Sequence, residues 1–188
     1  MALSGVFGAV ADHSGSRRAV CKSFDASMLS AALAQPGAAA KTGGFAFREV
    51  LDPGFAPRAD IAVRAATAAD IGNILAVHDG FFDDRAEIES YLAPGARLFL
   101  FYESGTLAGC GIAKRIVPGR SDFDIGMVVA PAHRNKGLGA YIVGWLKDHC
   151  LAAGFRPVAG CHAGNTASRR ALERAGFADR HRIFEVCW

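Results

Sequence analysis

The sequence predicts a mixed α/β domain on one sheet. Three observations carry that reading. Apolar residues alternate through residues 96–130, they recur at helical spacing on either side, and no internal repeat divides the chain. With 188 residues, 51% of them hydrophobic and 21% charged, the chain is long enough to bury one ordinary core.

Residues 1–58 are rich in Ala, Gly and Ser, and include AALAQPGAAAKTGG and LDPGFAPRAD. Their one brief helical run covers Ser27 to Ala34, so they read as a loosely packed N-terminal extension, with residues 59–188 as the domain proper. Regular patterning begins at IAVRAATAADIGNILAVH. Ile61 and Val63 alternate as in a strand. Thr67, with Asp70 three residues on, forms a capping box that opens a helix carrying Ile71, Ile74, Leu75 and His78 on one face. DDRAEIESYLAPG is a second short helix, stopped by Pro94 and Gly95.

The period then changes to two. Residues 96–131 read as three antiparallel strands with tight turns at Ser104-Gly105 and Pro118-Gly119. Leu138, Tyr141, Ile142, Trp145, Leu146 and His149 return to helical spacing up to Gly154, and RPVAGCHA is a short strand. NTASRRALERAGF begins a helix near Asn165, places Ala167, Ala171, Leu172 and Ala175 inward, and ends at Gly176. RHRIFEVCW closes the chain as a last strand. The expected order from Ile61 is β-α-α-β-β-β-α-β-α-β.

Composition narrows the function classes. A net charge of +3 gives no case for nucleic acid from the chain as a whole, and the five arginines within SRRALERAGFADRHR fit a solvated helix face. No uncharged run reaches the ~20 residues of a membrane span. Five scattered cysteines, an odd number without CxxC or a zinc-like grouping, point to reduced cytoplasmic thiols and to no metal. The start, MALSGVFGAVADHSGSRR, lacks basic residues ahead of its apolar run and is a poor secretory signal.

The chemistry concentrates in VVAPAHRNKGLGAYIVGWL, residues 128–146. A strand ending at Pro131 and a helix starting near Gly137 aim the amides of residues 135–140 at one point, and such a helix start favours an anion. Gly137 and Gly139 allow close approach, while Arg134 and Lys136 add charge, the guanidinium as a fork suited to phosphate. A pyrophosphate fits this turn. GxxxxGK[ST] is absent, and GxGxxG is met only in part by Gly137-Leu138-Gly139, so ATP and dinucleotide chemistry rank below other phosphate ligands.

The stretch MVVAPAHRNKGLGAYIV resembles the acyl-CoA-binding motif of the GNAT superfamily of N-acyltransferases, with Arg134, Gly137 and Gly139 at its signature positions. NTASRRALERAGF is similar to a second feature of that family at the expected distance, and the likeness covers Ile61 to Trp188. The resemblance implies a central, mostly antiparallel sheet with helices on both faces and splayed middle strands. It implies acetyl-CoA as cosubstrate, its pantetheine arm paired with the backbone of Met127, Val128 and Val129. The pyrophosphate would rest on Asn135, Lys136, Gly137, Leu138, Gly139 and Ala140, and Asn165 and Ser168 would also contact the cofactor. An amine acceptor, a small molecule, amino acid or peptide, would enter over the loop HDGFFDD and attack directly in a ternary complex.

An ammonium must lose its proton before it attacks a thioester, so a general base is needed. Asp124 and Asp122 share one strand face near the place where the family often carries a carboxylate, although counting back from Arg134 reaches Phe123. His162 is a second candidate because an imidazole suits work at neutral pH. All three also read as solvated or hydrogen-bonded structural residues. The Tyr that many members carry seven residues after the Asn is Leu172 in this chain, which leaves Tyr141, Ser168 and Cys161 as unranked proton donors. A catalytically inactive acyl-CoA-binding module is the alternative this departure keeps open. The apolar end IFEVCW suits pairing across a homodimer.

Overall fold

The computed structural model describes residues 17–52, 54–77 and 80–188. In chain order the elements are β1 (Arg18–Lys22), α1 (Ala26–Leu33), β2 (Ala39–Phe47), β3 (Ile61–Ala65), α2 (Ile71–Val77), α3 (Arg85–Tyr91), β4 (Ala96–Glu103), β5 (Thr106–Arg115), β6 (Asp122–Val129), α4 (Leu138–Ala152), β7 (Arg156–His162), α5 (Thr166–Arg174) and β8 (His181–Cys187). From β3 onward this is the order the sequence predicts. By contacts the chain forms two compact units. Among the described residues the larger holds 48–159 and 167–178, and the smaller holds 17–47 with 160–166 and 179–188.

In the larger unit β3, β4, β5 and β6 are successive antiparallel neighbours, and β7 joins β6 in parallel. Strand alternation divides the side chains between two faces. Leu98, Leu100, Cys110, Ile112 and Val128 pack with Ile71 and Ile74 of α2, Phe82, and Ile88 of α3. The opposite face receives α4, whose Ile142 and Leu146 lie so close to Gly109 and Gly111 that a Cβ there would meet them within about 3 Å. Helices therefore cover both faces of this sheet.

The local signals explain the element ends. Asp70 Oδ2 accepts from the Thr67 N–H at 2.8 Å and from its hydroxyl at 2.9 Å, while Arg64 forks onto the same carboxylate at 2.6 and 2.9 Å. These bonds, the one from Arg64 foremost, hold the buried Asp70 carboxyl far below its usual range. Asp84 caps α3 by accepting from the Glu87 N–H at 2.8 Å. Ser104 and Gly105 both take positive φ, 50° and 82°, which is the two-residue hairpin the sequence signals. Two details of the stripes differ: Leu75 is more than a third exposed, and Ala167 is exposed. His78 lies outside the described residues.

Gly176 ends α5 with φ 92°, and a Cβ there would lie 2.1 Å from the Asp52 carbonyl oxygen, so only glycine fits. The same loop is held by Lys147, which is fully buried on α4. Its ammonium donates to the carbonyls of Asp52 at 2.7 Å, Ala175 at 2.8 Å and Gly54 at 3.3 Å. Burial lowers its pKa, and the charge is tolerated because three dipoles face it.

Residues 18–47, expected as a loose extension with one helix, form two strands as well as that helix. In the smaller unit β8 pairs antiparallel with β1 through residues 183–187 and with β2 through residues 181–187. Both edges of β8 are therefore paired within the chain.

Candidate functional site

β6 leads into the turn in a single run of chain. Pro131–His133 is one turn of 3-10 helix, the left-handed residues Asn135 (φ 62°) and Gly137 (φ 80°) follow, and α4 begins at Leu138. The first intrahelical bond runs from the Tyr141 N–H to the Gly137 carbonyl at 3.1 Å. The amides of Gly137, Leu138, Gly139 and Ala140 are thus the ones helix geometry leaves without an intrahelical acceptor. The turn itself is exposed. Alternating left-handed residues in front of a helix N-terminus form a concave arc of N–H groups that suits an anion.

The two glycines serve different ends. At Gly137 a Cβ would meet nothing within 4 Å, and its left-handed φ alone demands glycine. At Gly139 a Cβ would lie 3.2 Å from Met127 Cε and 3.6 Å from Ala171 Cβ. Its smallness brings α4 close to β6 and α5, so Met127 and the cradle form one packed group.

Register identifies which backbone groups of β6 face away from β5. Ala130 donates to the Ala108 carbonyl and Ile116 to that of Asp122, so even-numbered residues of β6 turn their N–H and C=O toward β5. Odd-numbered residues turn theirs the other way, toward β7. The parallel ladder with β7 covers only Asp122–Asp124 against Arg156–Val158, and β6 runs five residues further. This is the splay. Among the residues expected to pair with an incoming arm, Met127 and Val129 face the open side. Val128, the Cα partner of Cys110, turns its backbone into the β5 ladder instead.

The charged residues of the turn lie along its own backbone. Arg134 Nε donates to the Val129 carbonyl at 3.0 Å, and Lys136 Nζ donates to that of Ala132 at 3.1 Å. Both side chains are exposed. Asn165 stands in the turn before α5, its N–H donating to the His162 carbonyl at 2.9 Å, and the half-buried Ser168 lies in the first turn of that helix. Leu172, where a family tyrosine is common, is buried in the core.

The three candidate bases differ in environment. Asp122 is bonded by Arg156, with Arg48 and Arg120 nearby, and the Arg156 bond above all holds its carboxyl below the usual range. A carboxylate stabilised in that way is a weak base. Asp124 is exposed on the same face, opposite Lys114 in the register. Its charge, with that of Glu87, helps raise the Tyr91 phenol, although burial is the larger cause. His162 Nδ1 accepts from the Gly164 N–H at 3.2 Å, which places the proton of a neutral ring on Nε2. Beside Asp124, the Phe81 ring edge lies 3.3 Å from where a Gly126 Cβ would be, and Phe81 is 38% exposed.

The buried cysteines Cys110 and Cys150 are poor nucleophiles. Burial pushes the Cys110 thiol up to about 12 and the Cys150 thiol up to about 11, and Cys161 is also buried.

The fold recurs in solved structures. An acetyltransferase from the GNAT family of Colwellia psychrerythraea matches with a TM-score of 0.75 and 18% identity, over 92% of this chain and 65% of that one. The yncA protein of Salmonella typhimurium, solved with its cofactor acetyl-CoA, matches with a TM-score of 0.54 and 23% identity, over 68% of this chain and 92% of that one. A spermidine N-acetyltransferase from Vibrio cholerae, in complex with CoA and spermine, matches with a TM-score of 0.55 and 13% identity, over 69% and 95%. The chain thus spans just under two thirds of the length of the first of these. None of the curated proteins compared matches the sequence. The model of the acetyltransferase (GNAT) family matches residues 69–177, more than half of the chain, and the chain belongs to that family.

Proposed function

We propose that this protein transfers the acetyl group of acetyl-CoA to a primary amine of a small molecule, amino acid or peptide, by direct attack within a ternary complex. The observation that carries the reading is the pairing of two features on one strand. β6 turns the backbone of Met127 and Val129 to the open side of the splay and then feeds the amide arc of Gly137 to Ala140. An extended amide-bearing arm that ends in a pyrophosphate matches that sequence of acceptors and donors, as acetyl-CoA does. Asn135, Lys136 and Arg134 flank the pyrophosphate in this reading, and Asn165 and Ser168 contribute from the approach to α5.

The acceptor approaches over Phe81 and Gly126, on the face that carries Asp124. Asp124 is taken as the base because it lies on the face of β6 that carries Gly126 beside Phe81, and because the Arg156 bond makes Asp122 a weak base. Asp124 takes the proton of the ammonium directly or through water, and the neutral amine attacks the thioester carbonyl. The tetrahedral intermediate collapses with loss of CoA thiolate, and the second proton from the attacking nitrogen passes to that thiolate or to water. A thiol of pKa ~8.5 leaves as the anion, so buried Leu172 need not be replaced by another proton donor. Residues 59–188 carry the reaction, and the reduced cysteines fit the cytoplasm. No helix among the described residues is long and apolar enough to cross a membrane.

Calorimetric titration with acetyl-CoA and free CoA, followed by mass-spectrometric screening of amines, tests this. Micromolar binding with acetylated product supports the reading. Binding without turnover on any amine supports the inactive module, and absence of CoA binding sinks both.

A further inference from the structure

The phosphate-facing turn is exposed and holds two left-handed residues, yet it is gripped on both sides by one ion-pair network. Before the turn, His133 Nδ1–H donates to Glu103 Oε2 at 2.7 Å. Glu103 ends β4, thirty positions earlier in the chain, and the two side chains are only 16% and 17% exposed. The other oxygen of Glu103 accepts from Arg58 at 2.9 Å, and Arg58 is also bonded to Asp60. After the turn, the Arg58 guanidinium lies 5.7 Å from the centre of the Tyr141 ring, and the Arg58 N–H reaches the Tyr141 hydroxyl at 3.5 Å. Tyr141 is the residue whose own N–H closes the first turn of α4 onto Gly137. The Glu103 carboxyl lies below its usual range, chiefly through His133 and then through Arg58.

We propose that His133, Glu103 and Arg58 form a positioning clamp that fixes residues 134–137 in their ligand-receiving shape before any cofactor arrives. The assignment of that ligand as acetyl-CoA rests on the function proposed above, whereas the clamp itself is a property of the free protein. None of the three side chains belongs to the amide arc or to the candidate bases, so they act through the turn. A turn with two positive-φ residues has lower-energy alternatives, and fixing it in advance removes an ordering cost from each binding event.

The test uses the full chain with His133→Ala, Glu103→Ala, the double variant and His133→Gln, whose amide can still donate to the carboxylate. Hydrogen exchange of the Arg134 and Tyr141 amides, which donate to the Pro131 and Gly137 carbonyls, is read in the free protein, and acetyl-CoA affinity by calorimetry. Either single alanine is expected to speed exchange in the turn and weaken acetyl-CoA about tenfold. The double variant should be no worse than one single, and His133→Gln should recover most of the loss. In turnover the loss should fall on KM for acetyl-CoA rather than on kcat. Unchanged exchange in the turn, or additive losses in the double variant, would overturn the clamp. If the wild type fails to bind acetyl-CoA, the acetyltransferase reading falls, and the exchange data still decide the clamp.

Discussion

Replacing Gly137 with Ala isolates backbone conformation from space. The position has φ 80° and no atom within 4 Å of an added Cβ, so the substitution causes no collision. A non-glycine residue held in the left-handed region costs roughly 1–2 kcal/mol. If the cradle requires that conformation, the cost appears as a smaller competent population and a weaker acetyl-CoA Kd, by about five- to thirtyfold. Asn at the same position should recover part of the loss, since Asn tolerates this region and Asn135 already occupies it at φ 62°. Gly139→Ala provides the contrast: its Cβ meets the flexible end of Met127 at 3.2 Å within a helix that favours Ala, so its loss should be smaller. Isothermal titration of the three variants with acetyl-CoA decides the matter. A Gly137→Ala protein that binds as tightly as the wild type would refute the reasoning, because the left-handed residue would then serve nothing in the cradle.

Three further outcomes follow from the side chains. Lys147→Met should leave the carbonyl of buried Ala175 without this donor, at about 1–3 kcal/mol, and the thermal midpoint should fall accordingly. The depressed Asp70 carboxyl contributes stability that is fully present above its unfolded value near ~4 and is lost as pH falls below it. Asp70→Asn should therefore flatten the acid limb of a stability curve measured by denaturant titration. Asp124→Asn should lower kcat by at least ~100-fold if Asp124 is the base, with Asp122→Asn far milder, and steady-state rates across pH check both.

Much of this was legible in the sequence because it is local. The Thr67-Asp70 box, the Ser104-Gly105 turn and the strand-turn-helix at Gly137 each depend on neighbours within a few positions, and the structure places them as the spacing predicts. What escaped depends on distant partners. Lys147 sits amid apolar helical residues, and the carbonyls that accept from it come from positions 52, 54 and 175. The strands at residues 18–22 and 39–47 are short on alternation and long on Ala and Gly, and they are held by pairing with a strand at the far end of the chain. Glu103 and His133 carry no signal in isolation. Parity was the subtler miss: Met127, Val128 and Val129 are contiguous in sequence, and only the register with β5 shows that the middle one turns away.

The same parity gives meaning to the one-residue offset of the candidate base. Phe123 stands at the position where counting from Arg134 expects a carboxylate, and consecutive strand residues point to opposite faces. Phe123 is buried and stacks on Phe155 with ring centres 4.3 Å apart, whereas Asp124 lies on the face of Gly126, where Phe81 is placed. If Asp124 is the base, the amine must come from the Phe81 side, and a carboxylate at position 123 would be sealed under aromatic rings. Adding Phe123→Asp to Asp124→Asn should therefore fail to restore turnover, while Phe81→Ala should raise KM for the amine and leave acetyl-CoA affinity unchanged. Recovery of turnover in the double variant would place the acceptor on the other face of β6 and remove Asp124 from the mechanism.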